Sequence, residues 1–112
     1  MSSIAEKNKL SDAYIDDMRL YLRISATALD AEIIDLVNAA RKDLLLGGVH
    51  PDHVFCEEDA LIKRAISTYL KAEFGLDNDD SEKYHAAYTN LKTRLTLSNY
   101  YKNPKEASVN VG

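Results

Sequence analysis

Residues 59–101 constrain the fold of this chain more than any other stretch. They contain two helical patterns separated by an acidic turn, FGLDNDDSE, at residues 74–82. In the first pattern, apolar side chains recur every three or four residues from Ile62 to Leu70, which places them on one face of a helix. The second pattern places four residues on one face: Tyr84, Tyr88, Leu91 and Leu95. Two amphipathic helices joined by a turn are therefore predicted here.

Two further helical patterns precede this pair. Ser11 is a suitable N-cap, and Asp12 adds negative charge to the first turn of the helix that follows. The next helix is predicted to end at Gly47 and Gly48, because glycine adopts the left-handed conformation at low cost. The prediction is an all-α bundle of about four helices, at residues 12–22, 28–46, 58–74 and 81–97. Each helix can bury its apolar stripe only against the others.

A single domain is expected for 112 residues. Residues 1–11 are polar and unpatterned and are predicted to be a flexible arm, while 12–97 form the helical domain. Residues 49–58 are predicted to be a loop, because Pro51 excludes a continuous helix. Residues 98–112 are predicted to be an extended tail without a core of its own.

The charge distribution is asymmetric. Residues 1–82 contain 9 Lys and Arg against 17 Asp and Glu, whereas residues 83–112 contain 5 against 1. An acidic body argues against general affinity for nucleic acid, which needs a broad cationic surface. Opposite charges on one chain favour head-to-tail contact between copies, or contact of the basic tail with an acidic partner. The candidate residues for that subunit interface are Arg64, Lys71, Lys92 and Arg94.

The cysteine count and the apolar runs indicate the compartment. One cysteine, Cys56, cannot form an internal disulfide, so a reducing environment is expected. No apolar run approaches the ~20 residues of a membrane span. The start of the chain lacks the apolar core of a secretory signal. Synthesis in the cytoplasm and no association with membranes are expected.

The sharpest chemical pattern combines His50, His53 and Cys56 at three-residue intervals. Two imidazoles and a thiolate can hold zinc, but the spacing matches no common zinc module and a fourth ligand is missing. A polar loop with a half-buried Cys56 explains the pattern better. The acidic run 77–82 resembles a calcium loop but lacks its glycine and its twelfth-position glutamate. No cofactor is predicted.

No catalytic constellation is found, and the chain is predicted not to be an enzyme. A hydrolase that uses Cys56 and a neighbouring histidine is one alternative, although no glycine-rich oxyanion turn accompanies them. A small DNA-binding packaging or regulatory protein is another. Its phosphate contacts would come from the basic cluster between Lys92 and Lys105.

The end of the chain is predicted to dock to a partner protein. Tyrosines without a core to enter are frequent at interfaces. The candidate interface residues are Tyr100, Tyr101, Lys102, Val109 and Val111. Packing of the two tyrosines back onto the preceding helix is the alternative. The last residues, VNV, can add a strand to a partner's sheet.

An ordered series of short sequence motifs runs through residues 12–101. The motifs are LRI at 22–24, DAEI at 30–33, IKRAI at 62–66 with a tyrosine at 69, FG at 74–75, DN at 77–78, and LS at 97–98 with a tyrosine at 101. This series resembles the head–tail connector proteins of tailed bacteriophages, also called adaptor, head-completion or DNA-packaging proteins.

The resemblance implies an α-helical virion protein at the head–tail interface, present in the host cytoplasm before assembly. It implies a ring, expected to hold twelve copies, between the portal protein and a tail-side stopper or head-closure protein. Such a ring extends the DNA channel and lets DNA pass without sequence-specific binding. It also implies that residues 98–112 engage the portal.

Overall fold

The computed structural model describes residues 9–74 and 79–105. These residues form six helices and contain no strand, which confirms the all-α prediction. The helices are α1 (Asp12–Leu22), α2 (Asp30–Gly47), α3 (Pro51–Val54), α4 (Ala60–Glu73), α5 (Ser81–Leu97) and α6 (Asn99–Lys102). None of the described helices combines the length and the apolar character that crossing a membrane requires.

Local side-chain chemistry sets the helix ends that the sequence predicts. The hydroxyl oxygen of Ser11 accepts a hydrogen bond from the N–H of Tyr14 at 3.1 Å, and so caps α1. A carboxylate oxygen of Asp59 accepts from the N–H of Ile62 at 3.0 Å, and so caps α4. The C-terminus of α2 is followed by Gly48, whose φ of 107° is a left-handed conformation that favours glycine.

Helix α4 lies at the centre of the bundle and contacts α1, α2 and α5. The core consists of apolar stripes from these helices. Its fully enclosed members include Met18, Ile33, Val37, Leu44, Ile62, Ile66 and Leu70. Burial of each such side chain contributes about 1.5–3 kcal/mol before the entropy cost of ordering the chain is subtracted.

Two segments differ from the sequence prediction. Residues 51–54 form a short helix where a loop was predicted, because Pro51 stands at the first helical position, where its missing N–H costs nothing. Residues 99–102 form helix α6 where an extended tail was predicted. Ser98 caps that helix. The sequence prediction missed this capping signal because the apolar pattern fades at the end of α5. The packed body also reaches Leu10, which is buried although it was assigned to the flexible arm.

Candidate functional site

The C-terminal segment, residues 98–105, lies against the body. Its helix begins after Ser98, whose hydroxyl oxygen accepts from the N–H of Tyr101 at 3.4 Å. The carbonyl of Tyr101 accepts from the N–H of His50 at 2.8 Å. Its phenol hydroxyl donates to both carboxylate oxygens of Asp59, at 3.1 and 3.2 Å. Tyr101 therefore joins the C-terminal segment to the starts of α3 and α4.

His53 is buried beneath this segment. It has no exposed surface. Its Nε2 donates to the backbone carbonyl of Asn103 at 2.8 Å. Its ring centroid lies 4.5 Å from the ring of Tyr100 and 5.0 Å from the ring of Tyr101. The two tyrosine rings thus pack on one imidazole, which also binds the backbone just beyond α6.

A second pair of contacts follows at Lys105. Its backbone N–H donates to a carboxylate oxygen of Asp52 at 3.1 Å, and its Nζ lies 3.1 Å from the sulfur of Cys56. The hydrogen bond to Cys56 raises the pKa of Lys105.

Partial burial and the carboxylate of Asp59 raise the pKa of Tyr101 to about 12. The phenol therefore keeps its proton, and its hydrogen bond, at neutral pH.

The three candidate metal ligands already have other partners. Nδ1 of His50 accepts from the N–H of Asp52 at 3.0 Å. Nε2 of His53 is bound to a carbonyl, and the sulfur of Cys56 contacts Lys105. Among the described residues, no group of three His, Cys, Asp or Glu side chains is arranged to hold a metal ion.

The predicted partner-interface residues separate into three groups. Tyr101 is half-buried and packed on the body, while Tyr100 is 52% exposed and Lys102 is exposed. Val109 and Val111 lie outside the described residues. Tyr101 therefore packs inward, as the alternative prediction had it. Its partners lie on α3 and at the start of α4, however, and not on the preceding helix α5.

Three of the four candidate subunit-interface residues, Arg64, Lys71 and Arg94, line one open groove of about 920 Å³, here called the cationic groove. Its basic residues are Lys63, Arg64, Lys71 and Arg94. None of the lining residues in the described chain is acidic. Nζ of Lys71 lies 6.0 Å from the ring centroid of Tyr21 and 5.7 Å from that of Tyr84, both of which line the groove. The groove combines positive charge with aromatic walls.

The fourth candidate, Lys92, lies elsewhere. Its Nζ is 3.0 Å from a carboxylate oxygen of Asp43 on α2, and the same oxygen accepts from the hydroxyl of Tyr88 at 2.6 Å. Partial burial acts to raise the pKa of Asp43, but these two hydrogen bonds outweigh it and lower that pKa. Lys92 therefore joins α5 to α2 within one molecule.

Two structural contacts had no sequence signal. Glu57 accepts hydrogen bonds from the N–H and the hydroxyl of Ser11, at 2.9 and 2.6 Å, across 46 residues of chain. Arg41 is buried, and its guanidinium carbon lies 5.0 Å from the ring centroid of Phe55 and 5.9 Å from that of Tyr14. Both contacts are long-range, so no local pattern could have identified them.

Comparison with known proteins identifies the family. A family model described as phage connector protein matches residues 14–102. No curated protein and no solved structure matches the chain. The match covers well over half of the chain and includes the cationic groove and helix α6. The chain belongs to the phage connector protein family.

Proposed function

We propose that this chain is a non-enzymatic structural protein of the phage virion. It forms a ring at the head–tail interface, between the portal protein and the tail-side stopper or head-closure protein, and extends the DNA channel. The observation that carries this proposal is the family match over residues 14–102, which takes in the whole helical body beyond the first residues of α1.

The docked C-terminal segment supports contact with a portal. Contacts of Tyr101, Asn103 and Lys105 hold the described end of the chain against α3 and the start of α4. A segment with one anchored end loses less entropy when it binds a partner than a segment that is free at both ends. Residues 106–112, which include Val109 and Val111, are proposed to bind the portal as an added strand.

The overall charge supports passage of DNA without binding. The chain has a net charge of −4, and residues 1–82 are strongly acidic. A negative channel wall repels the DNA phosphates and so lets the DNA slide. A positively charged binding site would instead hold the DNA backbone.

Binding to the portal protein of the same phage tests the proposal. This chain is expected to co-purify with that portal. Replacement of Val109 and Val111 by Asp should abolish the complex, because charged side chains disfavour the apolar contacts of an added strand. Replacement of Ser108 and Asn110 by Ala, at alternate positions of the same segment, is the matched control and should preserve it. A chain that never binds the portal would refute the proposal.

The cationic groove favours one alternative, a small DNA-binding protein. Arg64 and Arg94 can contact the phosphates of duplex DNA. A mobility-shift assay with duplex DNA at two salt concentrations separates the functions. Tight binding that weakens steeply with salt would favour the alternative. The connector is expected to show no such binding.

A further inference from the structure

The cationic groove and the core lie on opposite faces of α4. Ile62, Ile66 and Leu70 are buried and share the core with the apolar stripe of α2. Arg64 and Lys71 line the groove. Each residue turns a helix by about 100°, so these two positions lie roughly 140–160° from the centre of the stripe. The groove therefore opens on the side of the molecule away from α2.

The basic residues of the groove are incompletely neutralised within the molecule. Lys63 pairs with Asp17, and Lys71 lies beside two tyrosine rings. Arg64 and Arg94 are exposed and have no ion-pair partner within residues 9–74 and 79–105. Two guanidinium groups on a concave, partly aromatic surface favour an acidic occupant of complementary shape.

The same chain carries such an occupant on the outward face of α2. Glu32 and Asp35 are exposed there and have no ion-pair partner among the described residues. Ala31 and Ala39 flank them on the same exposed face, and their small side chains allow another helix to approach closely. Lys42 adds one positive charge farther along α2, so the acidic part of this face is its N-terminal half.

We propose that the cationic groove of one copy binds the outward face of α2 from a neighbouring copy, with Glu32 and Asp35 opposite Arg64 and Arg94. This inference rests on the proposed function, because it supplies the subunit contact of the ring. The two surfaces lie on opposite sides of one molecule. The contact is therefore head-to-tail, and its repetition closes a ring when the rotation per subunit allows.

Two charge-reversed variants test the contact. The groove variant carries Arg64→Glu and Arg94→Glu, and the helix variant carries Glu32→Lys and Asp35→Lys. All four side chains are exposed, and circular dichroism checks that both variants fold. Like charges now face each other, so each variant alone should need a protein concentration about a hundredfold higher to form rings. Mass photometry, with and without the portal protein of the same phage, measures the rings.

An equimolar mixture of the two variants is expected to restore ring formation. In the mixture, every reversed groove can face a reversed helix, and every native groove can face a native helix. The control variant, Lys9→Glu with Lys83→Glu, changes net charge as much as the groove variant does but lies outside both surfaces, and it should assemble like the native chain. Added salt should weaken native assembly, because the paired charges are exposed.

The possible failures are distinguishable. Rings that form equally well in both variants would overturn the groove contact and leave the proposed function intact. A native chain that forms no ring at any concentration, even with the portal, would overturn both. A groove variant that loses binding to duplex DNA but still forms rings would make the groove a nucleic-acid site and overturn the inference.

Discussion

The hydroxyl of Tyr101 donates hydrogen bonds to both carboxylate oxygens of Asp59, at 3.1 and 3.2 Å. The same carboxylate caps the start of α4. One acidic side chain therefore caps the N-terminus of the central helix and also holds the C-terminal segment in place.

Replacement of Tyr101 by Phe should destabilise the C-terminal segment, which includes α6, and leave helices α1 to α5 intact. The substitution removes the hydroxyl that binds Asp59 and keeps the ring that packs on His53. We expect the free energy of unfolding to fall by about 1–2 kcal/mol, since a hydrogen bond to a charged group is lost. Amide hydrogen exchange at residues 98–103 should become faster. Tyr100→Phe is the matched control, because Tyr100 is 52% exposed, and it should change neither quantity.

Alkaline pH provides a second measurement on the same contact. The pKa of Tyr101 is raised from 10.0 to about 12, so the folded state holds this proton more tightly than the unfolded state does. Its stabilising contribution is complete below pH 10 and is lost as the pH rises toward 12. Denaturant unfolding between these pH values should show a smaller decline in Tyr101→Phe than in the native chain. An identical decline in the two proteins would contradict the contact.

Replacement of Glu57 by Ala should loosen the start of α1. Glu57 accepts two hydrogen bonds from Ser11, and so orients the hydroxyl that caps this helix. We expect a loss of about 1 kcal/mol in the free energy of unfolding and faster amide exchange at Tyr14. The exposed neighbour provides the control, since Glu58→Ala should leave Tyr14 unchanged. Equal effects of the two substitutions would show that Glu57 has no special role.

The carboxylate of Asp43 should make stability depend on acidic pH. Hydrogen bonds from Tyr88 and Lys92 lower its pKa below the ordinary 3.8. The contribution of this group is therefore present above pH 3.8 and is lost as the pH falls through the lowered pKa. Asp43→Asn should flatten the loss of stability below about pH 4, as measured by urea unfolding at several pH values. A variant that follows the native acid profile would contradict this role.

The main helices could be predicted because their signals are local. Apolar residues on one face define them, and the capping residues Ser11, Asp59 and Gly48 lie beside the ends that they set. The two four-residue helices are too short to show a period. Capping chemistry at His50 and Ser98 marks them, together with Pro51 at the first position of α3, and such signals also occur in turns.

The surfaces could be predicted only in part. Lys92 and Arg94 are two residues apart, yet one pairs with Asp43 on α2 and the other lines the cationic groove. Residues two apart on a helix point in widely different directions, so the role of each depends on which neighbouring helix lies there. The inward packing of Tyr101 likewise depends on His53 and Asp59, more than forty positions earlier in the chain.

Electron microscopy of the native chain mixed with the portal protein of the same phage tests the central claim most directly. The expected image is a closed ring of this chain stacked on the portal and coaxial with its channel. In that ring, residues 98–112 should face the portal, and the cationic groove of each copy should contact its neighbour. Portal particles without added density, or copies of this chain bound along DNA with no ring, would contradict the claim.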